Sequence, residues 1–255
     1  MKFKHLVSIF LFSLSFITFA QIPYSNSEAS EFIQPYSMSG LSGAGVCYNP
    51  NKKLYYTAFI DGEDSPLEVY NNNYNFLYSG PIKAEINSIW YNPKTDKLEG
   101  ILANNKGLFS IDLNADGIPY QINFIKTKFD LPGGRNGAAF NANSNEIYYV
   151  VEGTLYIQSL KNSKKKKLIL EGFAPNGYVE DAPIYTGVKG YEIGLLGYGE
   201  NKLYLFDLKT GKQSAQVNLG FGAELIESHN IGYTNNTLFI FSSYTYYWDG
   251  FKIFK

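Results

Sequence analysis

Apolar and aromatic residues occur along this chain in short stretches, broken by turns rich in Asn, Gly, Pro and Lys. The clearest example is Ile89-Trp90-Tyr91-Asn92-Pro93-Lys94-Thr95-Asp96-Lys97-Leu98. It reads as an apolar strand, a polar turn and the start of a second strand. No long window keeps a helical period of about 3.6 residues without a Gly, Pro or Asn break, so strands are predicted throughout. Alternation inside the strands is imperfect, as expected where sheets are covered on both faces.

The same phrase returns along the chain. Val46-Cys47-Tyr48-Asn49-Pro50-Asn51-Lys52-Lys53-Leu54 is a close copy, and Ala139-Phe140-Asn141-Ala142-Asn143-Ser144-Asn145-Glu146-Ile147 is another. Weaker copies are Ile184-Tyr185-Thr186-Gly187 and Gly232-Tyr233-Thr234-Asn235-Asn236-Thr237-Leu238. Their aromatic residues, Tyr48, Tyr91, Phe140, Tyr185 and Tyr233, are separated by 43, 49, 45 and 48 residues. A period of roughly 40–50 residues with several strands per unit is the mark of a β-propeller. Strands are predicted at 45–48, 54–60, 67–70 and 76–78 in the first unit, and at 88–91, 98–103, 108–113 and 120–125 in the second. The third has 138–140, 146–151, 154–160 and 167–170; the fourth has 184–186, 191–196, 203–208 and 213–219. The fifth has 231–233, a strand from 238, and 251–254 after an Asp249-Gly250 hairpin dipeptide. That unit lacks a fourth strand, while Phe32-Ile33 near the N-terminus is a spare one. The prediction is therefore an all-β, five-bladed propeller of four-stranded antiparallel blades, with Phe32-Ile33 as the outer strand of the last blade. Such closure removes sheet edges that invite aggregation.

The blade spacing, together with Tyr48-Asn49-Pro50, Tyr91-Asn92-Pro93 and Leu205-Phe206-Asp207-Leu208-Lys209-Thr210-Gly211, resembles the secreted bacterial β-propellers, a broad superfamily of repeat proteins. The resemblance covers residues 31–255 and marks a fold, not a function. Trp248-Asp249 does not recur at the period, so the WD-repeat family is not assigned.

Residues 1–20 read as a signal peptide. Lys2 and Lys4 precede the apolar stretch 6–19, and Ala20 supplies a small residue before Gln21. The stretch is shorter than the about 20 residues of a membrane span. No cysteine follows it to take a lipid, and no later segment is apolar for long enough to span. Residues 21–30 are expected to be a lead into a single domain, 31–255, in the periplasm or outside the cell. With 255 residues and 45% apolar, the chain reads as globular, and its net charge of −1 argues against a general affinity for nucleic acid or anionic membrane. A monomer is expected. Cys47 is the only cysteine, so no intramolecular disulfide forms; a buried, inert thiol is expected.

Candidate chemistry falls on loops. The connections between blades carry Glu85, Asn87, Arg135, Asn136, Glu180, Asp181, His229 and Asn230. In a propeller these would ring one mouth of the central channel, where they either hold a polar ligand or pair with one another. On the same face Asp61, Glu63 and Asp64 can meet a hard cation or simply be solvated. The run Tyr244, Tyr246, Tyr247, Trp248 offers rings to a sugar or a partner, or packs between blades. Residues 112–117 match the first half of a calcium loop, but Asn123 stands where the bidentate Glu belongs, so a turn is preferred. The basic run 164–167 falls in the turn before the fourth strand of unit three and is read as a solvated basic edge, not an anion site. Hydrolase, metalloprotease, P-loop and CxxC motifs are missing, and no cofactor or metal is assigned. The functional expectation is an exported, non-catalytic binding propeller that engages a glycan or protein at the channel mouth. The alternatives are a glycoside hydrolase using Glu85, Glu180 or Asp181 as a carboxylate pair, and a structural subunit of an envelope assembly.

Overall fold

The computed structural model describes residues 21–36, 42–60, 64, 66–103, 106–127, 129–131, 137–162, 164–220, 231–242 and 245–255. The expected signal peptide lies outside them. Two short strands, β1 (Asn26–Ser27) and β2 (Ala29–Ile33), precede blade one, which holds β3 (Ser42–Asn49), β4 (Leu54–Ile60), β5 (Pro66–Asn71) and β6 (Phe76–Pro81). Blade two is β7 (Ile86–Asn92), β8 (Lys97–Leu102), β9 (Leu108–Leu113) and β10 (Pro119–Ile125). Blade three is β11 (Ala139–Asn141), β12 (Glu146–Val151), β13 (Thr154–Ser159) and β14 (Lys165–Ile169). Blade four is β15 (Tyr178–Tyr185), β16 (Ile193–Gly197), β17 (Lys202–Phe206) and β18 (Gln213–Leu219). Blade five is β19 (Ile231–Thr234), β20 (Thr237–Ser242), β21 (Tyr247–Phe251) and then β2 from the other end of the chain. The molecule is a five-bladed β-propeller with four-stranded antiparallel blades.

Closure uses the predicted segment. β2 pairs antiparallel with β21, Phe32 opposite Asp249 and Ile33 opposite Trp248. Ile33 is fully buried, whereas Phe32 on the other face is 51% exposed. The lead upstream is also part of the sheets. β1 lies parallel to β18 on blade four, and Ile22 and Lys255 exchange backbone hydrogen bonds of 3.2 and 3.1 Å. The segment 22–33 and the C-terminal residues are thus tied to blades four and five, and the edges of β18 and β21 are covered.

The recurring phrase is explained by its turn. The side-chain carbonyl of Asn49 accepts from the N–H of Asn51 at 2.9 Å, that of Asn92 from Lys94 at 3.0 Å, and that of Asn141 from Asn143 at 3.0 Å. These are Asx turns, in which a short polar side chain supplies the bond that a strand partner would otherwise make. Each turn ends in a left-handed residue, Lys53, Asp96 and Asn145, with φ of 56°, 54° and 58°. Tyr91, before Asn92, joins the cluster between blades one and two, and Phe140, before Asn141, packs on that between two and three; Tyr185, before Thr186, packs likewise between three and four. Asn51 of blade one donates to the Tyr91 hydroxyl at 3.2 Å, and Asn141 of blade three to that of Tyr185 at 3.0 Å. One repeat therefore folds a hairpin and also links adjacent blades.

Four expectations shift. The fifth unit's third strand is β21, not 251–254, and a turn at Thr245 and Tyr246 leads into it, with Tyr246 at φ 58°. Asp249-Gly250 is not a hairpin: Gly250 is a strand residue where a Cβ would stand 2.9 Å from Glu31 Cβ and 3.0 Å from the Phe239 ring. Close packing, not a turn, selects that glycine. The first strand of unit four begins at Tyr178, so Glu180 and Asp181 belong to a bulged inner strand instead of a loop. The lysine run, expected in a turn, instead forms the exposed start of the edge strand β14, and Lys165 lies 5.2 Å from the centre of the Tyr156 ring.

Candidate functional site

The inner strands of the five blades surround a channel of about 210 Å³. Its described lining is neutral, made of groups such as Ala44, Ser88, Trp90, Ala138 and Ile184. The Ser88 hydroxyl is buried and has no hydrogen-bond partner among the described residues. Of the carboxylates expected at the mouth, the described Glu85 and Glu180 are not part of this lining. Glu180 accepts the Gly153 N–H at 2.7 Å and so ties the inner strand of blade four to the tight turn of blade three. Glu85 borders a separate hollow of about 290 Å³ over blade two, beside Lys83 and Lys106. Asn87 is buried on β7. Asp181 lies in β15. Arg135, Asn136, His229 and Asn230 lie outside the described residues, as do Asp61 and Glu63. The described members of the predicted ring therefore do not converge on one point.

The other candidates for chemistry resolve as structure. Asp112 pairs with Lys97 at 2.6 Å and accepts from Asn123 at 3.0 Å across the β9–β10 hairpin. The Lys97 hydrogen bond, then that of Asn123, holds its carboxyl below the usual range. The turn itself is an Asx turn on Asn114, whose side chain accepts from Asp116 and Ile118. Among the described residues no three His, Cys, Asp or Glu side chains group as a metal site. Cys47 is 4% exposed, and burial pushes its thiol pKa far up, away from the nucleophilic thiolate.

The aromatic run divides. Trp248 is fully buried between blades five and one, with its ring 5.3 Å from Phe241 and 6.1 Å from Phe59. A Cβ on Gly43 would lie 2.5 Å from this indole, so the glycine makes room for it. Trp248 is thus a wedge in a seam and not an open platform: its strand neighbours Ile33 and Phe241 lie on the same buried face. Tyr246, in the turn, is 39% exposed. Tyr247 reaches the rim of a lateral groove of about 430 Å³, where the outer strand of blade five meets blade one.

That groove is the feature that sequence reasoning missed. It is lined by Ser30, Phe32, Gln34, Asn73, Tyr74 and Tyr247, together with Glu31. The Glu31 carboxylate is already paired with Lys252 at 2.6 Å and accepts the Tyr74 hydroxyl. Burial first, then the hydrogen bond to Glu31, raises the Tyr74 pKa, so the phenol stays protonated and donating. Beside the groove, Tyr36 stacks on Phe76 with ring centres 4.4 Å apart and planes at 13°. Glu68 sets this pair. It is fully buried on β5, takes the Tyr36 N–H at 3.1 Å and accepts the Tyr70 hydroxyl. The usable signal was Phe32 itself: in a strand whose Ile33 closes the ring, its neighbour must face outward.

No protein-family model matches the chain, and no curated protein matches it. Among solved structures, the glutaminyl cyclase of Myxococcus xanthus superposes with a TM-score of 0.58 at 7% identity, covering 89% of this chain and 97% of that one. A nidogen/laminin complex aligns with a TM-score of 0.42 at 13% identity, over 69% of this chain and 80% of that one. At these identities the likeness to the cyclase concerns the fold alone, and the chain shares the β-propeller fold with that enzyme.

Proposed function

We propose that this chain is an exported, non-catalytic binding propeller that holds a glycan in the lateral groove between blades five and one. The observation that carries the reading is the groove's lining: Phe32, Tyr74 and Tyr247 present ring surface, and Ser30, Gln34 and Asn73 interleave neutral hydrogen-bonding groups. Flat apolar faces beside a few placed amides and hydroxyls suit a sugar, which offers C–H faces and equatorial hydroxyls together. What favours binding over hydrolysis is that Glu180 is committed to Gly153 and Glu31 to Lys252 and Tyr74. Export rests on Lys2, Lys4 and the apolar stretch 6–19.

The test expresses the full chain in a Gram-negative host and recovers the exported form, whose N-terminus should be Gln21. That protein is run in native gels cast with hydroxyethylcellulose, galactomannan or laminarin, with alginate as the anionic control. Retardation is expected in at least one neutral gel, and it should be lost in Phe32→Ala and Tyr247→Ala. Unchanged mobility in every gel, or retardation that both variants retain, overturns the reading.

A further inference from the structure

We infer that the glycan is a long neutral polymer, laid across the outer flank of blades five, one and two instead of held by its end in a single groove. This rests on the glycan reading above and adds a second contact region to it.

The outer strand of blade one carries the argument. Phe76 and Tyr78 are two residues apart on β6, a spacing that in a regular strand puts both on one face. Here the register shifts: Tyr70 pairs with Phe76 and Val69 with Tyr78, leaving Leu77 as the extra residue of a bulge. The bulge re-aims the two rings. Phe76 turns toward blade five, against Tyr70 at 5.9 Å and Tyr36 at 4.4 Å. Tyr78 turns the other way, onto the cluster between blades one and two. There it lines a second groove of about 340 Å³ with Tyr120 and Gln121. Leu77 stands between the two, 48% exposed.

Exposed rings therefore stand on both sides of Leu77, toward blade five and toward blade two. Phe32 is 51% exposed, Tyr36 70% and Tyr120 65%. Interleaved polar groups are mostly neutral: Ser30, Gln34 and Asn73 on one side, Gln121 on the other. The charged groups in the two linings are Glu31, which is paired with Lys252, and Lys83. A neutral, hydroxyl-rich occupant matches that balance. Protein hot spots sit in desolvated pockets ringed by occluding contacts, whereas Phe32, Tyr36 and Tyr120 are each more than half exposed. A chain that reaches both grooves makes the second contact intramolecular, which strengthens binding without any new kind of contact.

The experiment compares one polysaccharide retained in the gels with a trisaccharide cut from it, short enough to occupy one groove, by titration calorimetry. Wild-type protein should bind the polymer at least tenfold more tightly than the trisaccharide, on the order of magnitude expected for linked sites. Tyr120→Ala, at a largely exposed position, should abolish most of that difference and leave trisaccharide affinity unchanged. Phe32→Ala should weaken both ligands. Polymer affinity unaffected by Tyr120→Ala overturns the extended site while the groove reading stands. Phe32→Ala without effect on either ligand overturns the groove reading itself. Sedimentation velocity should show one species in wild type and Tyr120→Ala alike; a dimer lost in the variant would reassign these rings to self-association and also overturn the proposal.

Discussion

Ring closure by a segment near the N-terminus makes a sharp demand on two adjacent residues. Ile33 is fully buried in the seam between blades five and one, in a cluster with Val46, Tyr55, Phe59, Tyr70, Phe239, Phe241 and Trp248. Its neighbour Phe32 belongs to the same strand and the same backbone ladder but faces outward. Ile33→Ala removes three carbons from that seam, about 2.4 kcal/mol at roughly 0.8 kcal/mol per buried carbon. The aromatic walls cannot collapse fully onto the space, so a cavity contribution adds to this, and buried Ile-to-Ala changes span about 2–5 kcal/mol. Taking about 3 kcal/mol, and about 2–4 °C per kcal/mol for a chain of this size, Tm should fall by about 6–12 °C. Phe32→Ala should stay within about 0.5 kcal/mol of wild type, as exposed substitutions do. The assay is thermal unfolding followed by far-UV circular dichroism, with urea midpoints as a second measure. An Ile33→Ala Tm within about 2 °C of wild type would mean that β2 does not close the ring. A Phe32→Ala loss as large as that of Ile33→Ala would mean that the strand's facing is wrong.

Other consequences follow from the same seams. Gly43→Ala places a Cβ 2.5 Å from the Trp248 indole and 2.9 Å from Phe241 Cβ, so it should lower stability by about 1–3 kcal/mol and alter the near-UV circular dichroism; an unchanged spectrum and Tm refute the packing. Asp249 is 5% exposed on the middle of blade five, and burial raises its pKa to about 6. The folded state therefore binds this proton more tightly than the unfolded chain, and the stabilisation present below about pH 4 is lost as pH rises through 6. Asp249→Asn should equal wild type near pH 4 and exceed it by on the order of 1–3 kcal/mol near pH 7.5 in urea midpoints, and a pH-independent difference would contradict the burial argument.

What the amino-acid order settled by itself was local and repeated. An Asn after an aromatic, then a residue able to go left-handed, closes a hairpin from within its own few residues, so Tyr48-Asn49-Pro50 and Tyr91-Asn92-Pro93 announced blades before any neighbour was placed. Counting strands against that period was enough to send Phe32-Ile33 to the last blade. The candidate site was legible only in part. Tyr246 and Tyr247 do reach the surface, but Trp248 is a core residue, because burial between blades depends on partners such as Phe59, far away in the chain. Asp249-Gly250 misled for a related reason: a dipeptide's turn preference is weak beside the burial of Trp248 and Phe251 on either side of it. Glu180 found its partner in another blade's turn, and the opposed aims of Phe76 and Tyr78 hang on one extra residue in a ladder. Turn chemistry acts over a few bonds and can be read in the order of residues; facing, pairing and groove shape arise where sheets from separate repeats meet, so only the closed ring decided them.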